Sequence, residues 1–507
     1  MKTSLTKLLL LYAASCPLLT RAQEPEKTIS WYIQHAPFSM QAPELPAIPN
    51  RNFSVRDYGG VGDGQTLNTS AIQKAINACA TAGGGHVIVP VGAWLTGSFE
   101  LKSNIDLHLE RGAMILFTTD HAQYKTIETY DGRTLTVPPI SGNDLENIAI
   151  TGEGVVDGGG ESWRPVKKEK MTAAQWKDLL AAGGVLNKEE NIWWPSREAM
   201  EGKEKRPVLV QFNRCKRVLL QGVTLRNSPM YVFAPNNCTD LTMDHVTIFN
   251  EWWAQNGDGI DIGSSRNVVI YRCTVSAGDD GICMKSGGRS EDGQAALQNV
   301  IIAGCNVYHA HGGFVTGSNT NGGMHRIFVR DCNFIGTDVG LRFKSSMGRG
   351  GLVDSIFVQD IYMRDIVHEA VLFDTYYENI PAGYVHIRKT GTPGNLTRFP
   401  KVSNDGPSDN EPVVPRDPNK PAPTDKIPQF RDFYLSRIYC NGANTAISIT
   451  GLPQMPVSGI WFDTVLISSD KGLVASQAKG INLHDVKLVT KESPAYQPDS
   501  TAEIHVR

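Results

Sequence analysis

Short runs in which apolar and polar residues alternate recur through the middle and the C-terminal part of the chain. They read RVLLQGV from Arg217, DLTMDHV from Asp240, NVVIYRC from Asn267, NVIIAGC from Asn299, RIFVRDC from Arg326 and SIFVQDI from Ser355. DFYLSRI from Asp432, GIWFDTV from Gly459 and GINLHDV from Gly480 continue the series. Successive starts lie 21 to 32 residues apart wherever no long insertion intervenes. Each run is too short to bury its own apolar face and the series is too regular for separate hairpins. Stacked coils satisfy both constraints. The pattern therefore predicts an all-β chain, a right-handed parallel β-helix whose equivalent residues stack about 4.8 Å apart.

The seventh position of the runs is Val223, Val246, Cys273, Cys305, Cys332, Ile361, Ile438, Val465 and Val486. Cysteine here stands in for Val or Ile, so these thiols are read as buried small hydrophobes. For Cys79, Cys215, Cys238, Cys283 and Cys440 a disulfide stays open. Upstream, one helix is expected, with Thr69 or Ser70 as its cap. Its buried face would carry Ile72, Ala75, Ile76 and Cys79, with glycines 83 to 85 as its stop. An open solenoid end exposes apolar side chains and strand edges, and this helix is the natural cap for the N-terminal end.

Residues 1–22 read as a signal peptide: Lys2 and Lys7, the apolar run Leu8 to Ala14, then Thr20-Arg21-Ala22 as a cleavage site. Cys16 offers a lipid anchor as the alternative. An extension over 23–49 precedes a single catalytic β-helix domain over 50–490, and 491–507 is a C-terminal tail. Two insertions interrupt the repeat. Residues 159–206 are charged and Trp-rich, with a short helix around Thr172 to Ala182, and are placed to wall a cleft; 390–428 is a long loop rich in Pro, Asn and Asp.

With 507 residues, 41% of them hydrophobic and 20% charged, the chain has the composition of a folded globular protein, and its 49 Gly and 28 Pro make it rich in turns. The net charge of −3 falls to −6 once the three cations of the leader are removed. That excludes a generic nucleic-acid binder, and an acidic substrate would need a local basic cluster. No stretch after the leader is long and apolar enough to span a membrane.

Four segments fall in consecutive coils: NGDGIDIG (256–263), AGDDGICMKSG (277–287), HAHGGFVTGS (309–318) and DVGLRFKSS (338–346). Matching the Gly-apolar pair that opens each strand places Asp258 in register with Asp280 and His311 with Asp279. It likewise places Arg342 with Cys283 and Asp261, and Lys344 with Lys285. Asp258, Asp279 and Asp280 then crowd one patch of wall, with backbones about 5 Å apart. Three like charges cannot all ionise at that distance, so at least one holds a proton, as a general acid must. Split carboxylate pairs of this kind perform glycoside hydrolysis. Arg342 and Lys344 point to one face two coils away, about 10 Å by the same spacing, either as plain ion-pair partners or as a clamp for an acidic sugar. His311 lies where it would tune the acid or hold substrate, and His309 reads as structural or as part of the rim. Trp252 and Trp253 are either a sugar-stacking platform or, the commoner outcome, buried packing.

These motifs resemble glycoside hydrolase family 28, the polygalacturonase-like pectin hydrolases, in a bacterial exported form. The family's Asn-Thr-Asp, Asp-Asp, Gly-His-Gly and Arg-x-Lys appear as Asn256-Gly257-Asp258, Asp279-Asp280, Ala310-His311-Gly312 and Arg342-Phe343-Lys344. The resemblance implies Asp279 as general acid, and Asp258 and Asp280 as activators of the attacking water, with inversion. It implies His311 as their support and Arg342 and Lys344 as the galacturonate clamp. Lys285 and Asn256 complete the expected substrate-binding set. No metal or cofactor is expected, and the partner would be a pectic polysaccharide or oligogalacturonide acted on by an exported monomer. Gly257 and Ala310 depart from the family pattern. The 159–206 insertion and the long stretch from Lys285 to Asn299 favour exo action. Rival readings are a rhamnogalacturonan or xylogalacturonan hydrolase, a calcium-dependent pectate lyase and a non-catalytic polysaccharide-binding solenoid.

Overall fold

A computed structural model describes residues 27–128, 134–288, 293–377 and 426–507. The proposed signal peptide, Cys16 and nearly all of the 390–428 insertion lie outside the described residues. The rest forms a parallel β-helix. One wall is an eight-stranded parallel sheet: β1 (Ile260–Gly263), β2 (Ile282–Lys285), β3 (Gly312–Thr316), β4 (Val339–Lys344), β5 (Glu369–Asp374), β6 (Thr445–Thr450), β7 (Lys471–Ser476) and β8 (Tyr496–Pro498). The repeats themselves supply the remaining walls, joined in one larger sheet. Ile260, Ile282, Phe314, Leu341, Val371, Ile447 and Leu473 share one column and are fully buried. The core is thus a set of axial stacks, including Phe343 on Phe373 at 4.5 Å between ring centroids.

The thiol ladder appears as the alternation requires. Cys332 shares a column with Ile361, Ile438, Val465 and Val486, and Cys273, Cys305 and Cys332 are all fully buried. The eight described cysteines are free, which removes the disulfide left open above for the five others.

The first and sixth residues of all nine repeats have left-handed backbone, with φ between 49° and 76°. These two corners bracket each strand and turn the chain between walls. Only some of the corners are glycine; others are Asn, Asp, Arg, His, Ser and Thr, at a cost of about 1–2 kcal/mol for residues without a local polar compensation. Asn299 and Asn267 offset it by bonding the preceding corner: Nδ2 of Asn299 donates to Asn267 Oδ1 at 3.3 Å, and Asn267 Nδ2 to Asp240 Oδ1 at 3.2 Å.

The capping helix, α2, runs Thr69–Thr81 and buries Ala71, Ile72, Ala75, Ile76 and Cys79. Its cap is Asn68, not Thr69 or Ser70. The Thr69 hydroxyl instead accepts from the amide of Gly97 at 2.6 Å, which ties the helix to the first coil.

Both segments that flank residues 50–490 are built into the fold. Residues 491–507 are no loose tail: β8 pairs with β7, and Ala502–Val506 pairs with Ala478–Thr490, adding a last coil. The 23–49 extension contains α1 (Ile29–Gln34), whose N-cap Thr28 accepts from the amide of Trp31. Tyr32 packs on the outer face of the solenoid among Val269, Tyr271, Ile301 and Phe328. From there the chain runs back along the outside, with Glu44 reaching Arg217 at 3.7 Å and the Ala47 amide reaching Asn147 at 3.4 Å.

The 159–206 insertion forms a three-stranded sheet with α3 (Ala173–Ala181), capped by Thr172 with Gln175 returning the bond. Trp176, Trp193 and Val166 form its own small core, against which Trp253 packs. No helix among the described residues is long and apolar enough to cross a membrane.

Candidate active site

The outward positions of the eight-stranded wall carry the site. Asp261, Cys283, Val315 and Arg342 form one column, as the Gly-apolar alignment requires. The register continues into the preceding loops: the amide of Gly259 donates to Asp280 O at 2.9 Å and that of His311 to Asp279 O at 2.8 Å. Asp258 therefore lies beside Asp280, and His311 beside Asp279. Asp258, Asp279 and Asp280 each present an oxygen within 4.8 Å of the others. Such a trio has the donor set to bridge a cation, but Lys285, Arg342 and Lys344 already supply organic counter-charge.

The cations differ from expectation in one respect. Arg342 and Lys344 do not stand about 10 Å off; their long side chains lean back along the axis. Lys344 Nζ reaches Asp280 at 2.8 Å and Arg342 Nη1 reaches it at 3.3 Å, all three groups being buried. The plain ion-pair reading is realised, yet Arg342 Nε is buried with no hydrogen-bond partner among the described residues. Lys285 Nζ lies 2.7 Å from Asp261 and 3.1 Å from Asp258, under the ring of Tyr231 at 4.3 Å. The ring of Tyr377 covers Lys344 at 4.7 Å and Arg342 at 5.3 Å.

These contacts divide the carboxyls. Burial raises Asp258, Lys285 opposes it, and the neighbouring carboxylates add to the rise, for a net value well above the usual range. Lys285 is shared between Asp258 and Asp261, and burial raises both, so within the trio Asp258 is the carboxyl pushed up. Burial also pushes Asp280 up, but Lys344 and Arg342 outweigh it and its net direction is down. For Asp279, burial is outweighed by His311, with Lys344 and Lys170 behind it, and the net direction is again down. His311 bridges two acids, with Nδ1 2.9 Å from Asp279 and Nε2 3.7 Å from Asp338.

Of the other sequence candidates, Asn256 sits on the loop before Asp258, where its side-chain oxygen accepts from Arg206 at 2.9 Å, inside the protein framework. Trp252 and Trp253 meet edge to face at 6.0 Å, and Trp253 belongs to the core of the insertion, so packing prevails over a sugar platform. His309 is exposed at a left-handed corner, in line with a structural position. Sequence reasoning missed Asp261, Tyr231, Tyr377, Asp338, Lys170 and Arg206 as site neighbours. Asp261 and Asp338 were legible, since the alignment sets the first in the Arg342 column and the second in line with Asp279 and His311; the others reach the site from loops and the insertion, which carry no repeat.

A carboxyl trio shifted in opposite directions, with Asp258 and Asp280 buried and Asp279 half-buried, on the outer wall of a parallel β-helix, is the machinery of a glycoside hydrolase. The model of glycosyl hydrolases family 28 matches residues 166–390, which include every element of the site, and a second model, rhamnogalacturonase A/epimerase, pectate lyase-like, matches residues 52–110. The chain belongs to family 28 of the glycosyl hydrolases. It is 28% identical to an exo-poly-alpha-D-galacturonosidase of Dickeya chrysanthemi over 454 residues, 84% of this chain and 68% of that one. It is 30% identical to a probable polygalacturonase of Vitis vinifera, over 64% of each. Among solved structures it resembles an exopolygalacturonase from Thermotoga maritima, with TM-score 0.67 and 25% identity over 90% of this chain and 95% of that one.

Proposed function

We propose that the protein is an exo-acting polygalacturonase, hydrolysing α-linked galacturonic acid from the ends of pectic chains outside the cytoplasm. The observation that carries this reading is the pairing of the carboxyl trio with a buried guanidinium whose Nε is still unsatisfied. An uncharged sugar offers that donor only a hydroxyl, whereas a uronate carboxylate satisfies it with a stronger, charge-assisted bond.

In this reading Asp279 donates a proton to the glycosidic oxygen as its bond to the anomeric carbon breaks. A water held by Asp258 and Asp280 forms the new bond and gives up a proton to Asp280, the one of the two whose direction is down. The uronate, a further anion beside Arg342 and Lys344, draws on their charge and so favours protonation of Asp279. The trio is closer than the roughly 6.5–9.5 Å common to inverting pairs, so inversion places the water on one side of the trio rather than between acid and base. Exo action is supported by the insertion, which docks through Lys170 and Arg206 on the loops before Asp279 and Asp258 and so stands against that side of the site.

Digestion of polygalacturonate, with products resolved over time and the first anomer read by NMR, tests the proposal. Galacturonic acid alone from the outset, with inverted configuration and no activity in Asp279→Asn, is the expected result. Mixed oligomers would make the enzyme endo-acting, a retained anomer would reassign the second carboxylate as nucleophile, and no cleavage would redirect the search to rhamnogalacturonan.

A further inference from the structure

Lys170 is a lysine that the mechanism above does not use, and it is only 2% exposed. Burying an ammonium costs several kcal/mol unless polar groups replace its water. Here they come from two separate loops: Nζ donates to the carbonyl of Trp252 at 3.3 Å and to that of Gly278 at 3.2 Å. The first loop leads into Asp258; Gly278 immediately precedes Asp279. The loops also touch directly, since the Gly278 amide donates to Gly257 O at 3.2 Å and a Cβ on Gly278 would fall 2.3 Å from Ala254 O. The charged groups that bear on the ammonium are Asp279, Asp338 and Glu169, which attract it, and Lys167, which repels it. His311 stands between the first two.

We propose that Lys170, supplied by the insertion, is a positioning residue for Asp279. Its ammonium clips the loop before Asp258 to the loop before Asp279 and supplies a fixed positive charge behind the Asp279–His311–Asp338 row. The insertion is thus a working part of the active site. Burial depresses the lysine and Asp279 and Asp338 oppose this, for a net lowering; the two carbonyls stand in for water at its ammonium. The inference rests on the reading of Asp279 as the general acid.

The test compares Lys170→Met and Lys170→Arg with the natural enzyme on polygalacturonate across pH, alongside Asp279→Asn. Loss of the positive charge lets Asp279 hold its proton to higher pH. In Lys170→Met the alkaline limb of kcat/KM is therefore expected to rise by roughly half a pH unit or more, with kcat down about tenfold and KM nearly unchanged. Lys170→Arg keeps the charge and is expected to keep the limb in place, with kcat reduced by its bulk. A purely structural lysine would lower activity equally at every pH, so an unmoved limb in a folded Lys170→Met overturns the proposal. If Lys170→Met does not fold, an upward shift of the limb in Lys170→Arg overturns the charge role. Activity in Asp279→Asn would instead overturn the general-acid reading itself, whatever Lys170 does.

Discussion

His311 Nδ1 sits 2.9 Å from Asp279, and this contact opposes the burial that would otherwise raise the acid. A carboxyl depressed in the folded state contributes stability that is present above its unfolded value, near 4, and is lost as pH falls through the folded value. His311→Asn is expected to remove about 1–3 kcal/mol of stability at pH 6 and less at pH 2.5, where the unfolded chain has already taken up the proton. Urea unfolding at the two pH values measures the difference; equal losses at both would contradict it.

Asp258 has the opposite sign. Its folded value is raised, so it destabilises the fold progressively as pH rises above about 4, where the unfolded chain would release the proton. Asp258→Asn keeps an acceptor for Lys285 and is expected to gain about 1–3 kcal/mol at pH 7 while losing activity, with the gain vanishing below pH 4. A thermal melt series over pH 3.5–7.5 decides it.

Gly257 stands where the family usually has Thr. A Cβ there would lie 2.8 Å from both Cβ and the carbonyl oxygen of Ala254, whose loop is pressed against it. Gly257→Thr, although it restores the family residue, is expected to cost about 1–3 kcal/mol and to lower kcat by displacing Asp258. An unchanged melting temperature with normal turnover would show that the loop can yield.

Thr464 is a β-branched residue at a left-handed corner, φ 57°. Its hydroxyl makes only a 3.5 Å contact with Asp463. Thr464→Asn is expected to stabilise the protein by about 0.5–1 kcal/mol, since Asn tolerates this conformation. Chemical denaturation would register it as a higher midpoint at constant slope.

What could be read from the sequence follows from periodicity. Asp258, Asp279, His311, Arg342 and Lys344 lie within or just before strands of the repeat, so aligning Gly-apolar pairs was enough to bring them together. Contacts that depend on side-chain length were not legible: Arg342 and Lys344 share a column spacing with the acids, but only the folded structure shows them reaching back to Asp280. Lys170 and Arg206 belong to an aperiodic insertion, and α1 is a six-residue helix with no repeat to place it. The corners escaped notice because residues of very different chemistry, from Gly to Arg and Thr, fill one backbone role.

Solenoids contact only their neighbours and so can fray one coil at a time. The segment that leaves α1, with Lys27 and Tyr32 both fastened to Asp331 at 2.8 Å, runs outside the stack to Asn147 and then enters the first strand at Asn52. It thereby links the first coil to coils in the middle of the stack. Opening the first coil must loosen this external tie, and the tie is anchored in the middle, so end-on unravelling is converted into a concerted event.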